Sequence, residues 1–185
     1  MFMGKNIVLI GMPGVGKSTS GVILAKVMNY DFWDSDLVIQ QQTKKLLKEI
    51  IREEGIDGFN AVENQINAGI DVENTVIATG GSVIFGADAM AHFKETGIVV
   101  YLRISYDQLD KRLGDLDERG VVHKEGQTLR DIYDERTRLY EKYADITVDL
   151  DGKDVAGTVD AVVAQLEQYL VYENKKISRN RKKRL

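Results

Sequence analysis

The chain has no cysteine among its 185 residues. That excludes disulfides and thiolate metal sites, and it is compatible with a reducing cytoplasm. It has one proline, Pro13, so its 17 glycines must make most of the turns. The two histidines, His92 and His123, have no companion at metal-ligand or triad spacing, and both read as surface residues. No apolar stretch approaches the roughly 20 residues that span a bilayer. The N-terminus runs directly into an apolar strand, without an h-region and small-residue cleavage site, so no signal peptide is expected. A length near the usual 100–200 residues of one core predicts a single domain. With 43% hydrophobic and 29% charged residues, a soluble globular chain is expected.

Charge is divided unevenly. Of 25 basic and 29 acidic residues, seven basic ones and no acid lie between Lys175 and Leu185. The first 174 residues therefore hold 18 basic against 29 acidic side chains, a formal −11. An acidic body does not suit a nucleic-acid surface. The segment 175–185 reads as a basic, solvated, disordered tail.

Apolar runs alternate with helical spacing. Strands are predicted at Lys5–Ile10, Phe32–Asp36, Thr75–Thr79, Ile98–Arg103 and Ile146–Leu150. Helices are predicted at Ser18–Met28, Leu37–Glu54, Phe59–Ala68, Ala87–Glu95, Tyr106–Leu113, Leu129–Tyr143 and Val155–Tyr172. Continuous rather than alternating apolar strands imply a parallel sheet covered on both faces, an α/β fold.

Gly11-Met12-Pro13-Gly14-Val15-Gly16-Lys17-Ser18 matches the complete phosphate-loop pattern G-x-x-x-x-G-K-[ST], between a strand and a helix. Its glycines let backbone amides close around phosphate oxygens, and the helix points its positive dipole end at the same anion. Gly14, Val15, Gly16, Lys17, Ser18 and Thr19 are thus candidate nucleotide ligands. Lys17 is expected on the β- and γ-phosphates and Ser18 on Mg²⁺. Asp34 and Asp36, two apart at the end of a predicted strand, would share one face. Strand ends are where open parallel sheets bind ligands. One carboxylate near Mg²⁺ and one near an attacking hydroxyl is a workable division. The Gly80-Gly81 pair after the third strand lets a small ligand approach backbone amides.

The loop GMPGVGKST, the pair Asp34/Asp36, the stretch ATGGS ending at Ser82 and the phrase ERTRLYEKYAD from Glu135 together resemble the shikimate kinases, within the nucleoside-monophosphate-kinase-like P-loop proteins. The likeness spans residues 5–170. It implies a P-loop fold with a five-stranded parallel sheet, helices on both faces, an acceptor subdomain over about 37–68 and a flexible lid over about 114–128. The implied reaction moves the γ-phosphoryl group of ATP to a hydroxyl of shikimate with Mg²⁺. Asp34 would hold the metal with Ser18, and Asp36 would orient the acceptor hydroxyl and act as base. Gly80 and Gly81 would bind the acceptor through their amides. Glu63 corresponds to the acidic residue of the acceptor subdomain. Arg136 corresponds to the arginine on the acceptor carboxylate, Arg112 to the residue at the adenine, and Arg119 to the lid arginine over the phosphates.

The departures fall on the acceptor side. Asn60 stands where the family usually has an arginine, and Ser82 replaces a third glycine. The lid reads Arg119-Gly120-Val121-Val122, and Gly55-Ile56 replaces a Gly-Glu. Lys44, Lys45, Lys48 and Arg52 are nearby cations that could stand in for the missing one, or simply form a solvated face. Arg138 could assist Arg136, although i and i+2 on a helix face apart. Trp33 could line the acceptor pocket or pack in the core, and Tyr101, Tyr140 and Tyr143 read as packing residues. The expected assembly is a cytoplasmic monomer taking a small acceptor. Alternatives are a kinase of another hydroxylated carboxylate or amino acid such as homoserine, a non-catalytic ATP-binding module, and a polynucleotide kinase using the basic tail.

Overall fold

A computed structural model describes residues 4–113, 121–123 and 126–182. The lid centre, with Arg119, lies outside them. Five strands form one parallel sheet: β1 (Asn6–Ile10), β2 (Asp31–Asp34), β3 (Thr75–Ala78), β4 (Gly97–Arg103) and β5 (Ile146–Asp149). Their order is β2-β3-β1-β4-β5. All five residues of β1 are buried. Since successive side chains point to opposite faces, both faces of the sheet are covered there. In register, Ile7–Leu9 pair with Val76–Ala78 on one side and with Ile98–Val100 on the other. This central strand carries the phosphate loop.

The helices are α1 (Lys17–Met28), α2 (Ser35–Thr43), α3 (Leu47–Ala68), α4 (Ala87–Thr96), α5 (Tyr106–Leu113), α6 (Leu129–Tyr143) and α7 (Val155–Lys182), with one 3-10 turn at Val83–Phe85. α1 ends at Asn29, whose φ of 56° lets its N–H return to Ala25 and Lys26 carbonyls. α6 begins with a capping box, Thr128 accepting from the Asp131 N–H while the Asp131 carboxylate accepts from Thr128. The chain reverses direction in strand order at β1, so the ends of β1 and β3 open onto the crevice where such sheets bind ligands.

Four boundaries depart from the sequence reading. Asp36 is not on a strand: β2 stops at Asp34, which caps α2, and Asp36 lies in its first turn. The helix expected over Leu37–Glu54 breaks at Lys44, which has a φ of 57°. Its second half joins the next helix through a bend at Gly55, φ 71°. The segment expected to be disordered from residue 175 instead continues α7 to Lys182. Nothing between Glu173 and Lys182 breaks a helix, and Lys176 pairs with Glu173 one turn back.

The core is double. The main cluster follows the sheet. A second, small one joins α2 and α3 through Ile39, Ile50 and Phe59, with Val122 packed against it. Among the described residues no helix is long and apolar enough to cross a membrane.

Candidate active site

The phosphate loop is shaped by backbone geometry that only some residues adopt. Gly16 caps α1 at φ 96° and Gly14 sits at φ 76°, the left-handed region that glycine occupies without strain. A Cβ on Gly14 would also strike Leu113 Cδ2 at 2.9 Å, so the end of α5 rests on the loop. Arg112, the expected adenine neighbour, precedes that contact residue and is exposed. Val15 is buried beneath the loop, and Thr19 is exposed in the first turn of α1.

Lys17 is buried, and its Nζ donates to the carbonyls of Gly11 at 2.8 Å and Met12 at 3.0 Å. Burial pulls its pKa down to about 8, with Arg136 adding to the effect and Asp36, Asp34 and Glu63 opposing it. Ser18 Oγ donates to Asp34 Oδ2 at 2.6 Å. The other oxygen, Asp34 Oδ1, accepts from the Asp36 N–H at 3.1 Å. A hydroxyl and a carboxylate are thus held together beside the phosphate loop, a hard-oxygen pair suited to Mg²⁺.

The acceptor side is built around Gly80. A Cβ there would lie 2.3 Å from Glu63 Oε1 and 2.9 Å from Asp36 Oδ1. Both oxygens are buried without hydrogen-bond partners. Burial raises the pKa of Asp36, with Asp34 adding to the shift and Lys17 opposing it. Burial pushes Glu63 up to about 7; Asp36 adds to this, while the Ser82 hydroxyl bond, Arg136 and Lys17 oppose it.

The Gly80 N–H donates to Ser35 Oγ at 3.3 Å. The amide already has a protein partner, and what the glycine supplies is clearance. At Gly81 a Cβ would meet Pro13 at 2.8 Å and Arg136 Nη1 at 3.2 Å. Its carbonyl accepts from Tyr140 OH at 2.6 Å.

Arg136 is buried on α6. It lies 5.6 Å from the Phe85 ring, donates through Nη2 to the Val122 carbonyl and keeps a buried Nε without a partner. Asn60, on α3 one turn before Glu63, has a buried Oδ1 without a partner and lines a cavity with Arg136. Lys17, Ser18, Asp36, Gly80, Gly81 and Arg136 line one cleft of about 370 Å³.

Of the candidate substitute cations, Lys44 is exposed and two others are engaged elsewhere. Lys45 pairs with Glu53 at 2.6 Å and Arg52 approaches the same carboxylate at 3.7 Å. Lys48 lines a neighbouring cavity with Asp36 and His123. Arg138 is exposed, as its offset from Arg136 predicts. Trp33 is 37% exposed on β2. Tyr101 and Tyr140 stack in the core with ring centroids 5.1 Å apart. His92, expected on the surface, is half-buried, its Nε2 2.7 Å from the Ile70 carbonyl.

Sequence reasoning missed Ser35, the Tyr140 hydroxyl and Phe85. Tyr140 was findable: four residues after Arg136 on one helix, it shares the inward face. Ser35 and Phe85 act through contacts 45 or more residues away in sequence, which no local pattern encodes.

A phosphate loop on the central strand of a parallel sheet, facing a carboxylate-lined cleft at the neighbouring strand end, defines a P-loop kinase. The shikimate kinase family model matches residues 13–167. A shikimate kinase of Alteromonas mediterranea is 36% identical over 165 residues, covering 88% of this chain and 96% of the relative. The shikimate kinase of Aquifex aeolicus superposes with a TM-score of 0.75 at 28% identity, over 88% of this chain and 96% of that one. That of Acinetobacter baumannii, solved in complex with shikimate, gives 0.75 at 31% identity, over 92% and 94%. The chain belongs to the shikimate kinase family.

Proposed function

We propose that this enzyme transfers the γ-phosphoryl group of ATP to a hydroxyl of shikimate. The observation that carries this reading is the set of partnerless polar atoms around Gly80 and Gly81. Asp36 Oδ1 and Glu63 Oε1 require hydrogen-bond donors, and Arg136 Nε requires an acceptor. A polyhydroxylated carboxylate supplies both, and the Acinetobacter relative holds one.

Lys17, released from the loop carbonyls, binds the β- and γ-phosphates among the loop amides. Ser18 and Asp34 would hold Mg²⁺, which when bound would supply positive charge at the phosphate oxygens. Asp36 orients the acceptor hydroxyl. As that oxygen forms its bond to the γ-phosphorus, the bond to the β,γ-bridging oxygen breaks and ADP leaves. The hydroxyl proton passes to the Asp36 carboxylate, whose raised pKa suits a base. Arg136 anchors the acceptor carboxylate, and the Gly81 amide and Asn60 complete the wall. The resemblance assigns Arg119 to the transferred charge and Arg112 to the adenine. A cytoplasmic monomer belongs to the same reading.

The test is ADP release with shikimate, homoserine, gluconate and nucleoside monophosphates as acceptors. Shikimate should be turned over with the highest kcat/KM. Release with the nucleotides alone, or with none of the four, overturns the assignment.

A further inference from the structure

Glu63 is a buried acid that the phosphoryl-transfer step does not use. It is 1% exposed, and its Oε1 has no partner. On its own helix its neighbours one turn away are Asn60 and Asn67, both neutral amides with partnerless atoms. Among the described residues, the charged groups that act on it from other elements are Asp36 from α2, Arg136 from α6 and Lys17 from α1; the Ser82 hydroxyl adds a hydrogen bond.

Resting on the reading that this cleft takes a carboxylate-bearing acceptor, the acceptor side holds the ionised Asp36, the acceptor's own carboxylate and Arg136. Lys17 is committed to the phosphates. Among the described residues the cations acting on Glu63 are Arg136 and Lys17, so an ionised Glu63 would add a negative charge beyond the one Arg136 offsets, in a site too dry to screen it. A neutral carboxyl adds none. It offers one O–H donor and a carbonyl acceptor to a ligand hydroxyl.

We infer that Glu63 receives the acceptor as a neutral carboxyl and that its ionisation weakens the acceptor's hold, making it a pH-sensitive specificity residue. The direction of its shift agrees: burial carries the group up to about 7 in the free enzyme. Below that pH the binding form predominates, and above it the proton must be taken up for the acceptor to bind.

The test is the KM for shikimate at saturating ATP, measured at about pH 6 and about pH 8.5. In the wild-type enzyme it should rise roughly 10-fold or more between the two, as expected for one required proton. In Glu63→Gln, which is neutral at every pH, the ratio should fall to about 1. The titration of Lys17 acts on the ATP side and should persist in the variant as a rise in the KM for ATP. A flat wild-type profile, which needs no variant to fold, overturns the inference, as does a Glu63→Gln enzyme that keeps the full rise. Both results are read against shikimate-dependent ADP release by the wild-type enzyme. Loss of that release at every pH would instead remove the proposed function.

Discussion

The two halves of the cleft solve opposite problems. On the nucleotide side the key groups satisfy one another: Lys17 with two loop carbonyls, Ser18 with Asp34, and Asp34 with the Asp36 amide. On the acceptor side Asp36 Oδ1, Asn60 Oδ1, Glu63 Oε1 and Arg136 Nε are buried without partners. The first half is a closed set of contacts around the phosphate loop. The second is a set of unmet hydrogen-bonding demands, and a ligand that meets them is favoured over one that does not.

Substitutions that touch one half should leave the other standing. The largest effect belongs to Asp36→Asn, which removes the proposed base facing both halves. Turnover should fall about 10²- to 10⁴-fold, while ATP affinity, followed by calorimetry, stays near its starting value. Unchanged turnover would take Asp36 out of the reaction. Arg136→Gln should raise the KM for shikimate about 10- to 100-fold, the worth of one charge-assisted hydrogen bond. The KM for ATP should move little in steady-state assays, and an equal rise in both constants would erase the division drawn above. Ser18→Ala should be mildest: the Mg²⁺ concentration needed for half-maximal rate rises about 10-fold, with the shikimate KM unaffected in a metal titration.

The same division explains what was legible in the sequence. The phosphate loop is local: eight consecutive residues set its backbone and its ligands, so Lys17, Ser18 and the glycines fall where spacing puts them. The sheet was equally readable, because continuous apolar runs such as Ile7–Ile10 and Ile98–Leu102 have no other stable home than a buried strand. Asp34 and Asp36 were found for an incomplete reason. They meet the site because a helix starts between them, with one capping and the other in the first turn. The acceptor wall is assembled from α2, α3, α6 and the turn after β3, and its key contacts depend on tertiary packing. Gly80 shows the limit. Its presence suggested an open amide, but packing gave that amide to Ser35 and left the glycine to make room for two carboxylates.

The small second core built on Ile39, Ile50 and Phe59 fastens the wall formed by α2 and α3. That core does not hold the wall alone: on α3, Asn64 donates to Asp88 and accepts from the Ala89 N–H, tying the helix to α4. The wall thus has a firm edge along α4 and a lighter one at α2. Local opening is expected to begin at α2 and to leave the sheet beneath the phosphate loop undisturbed.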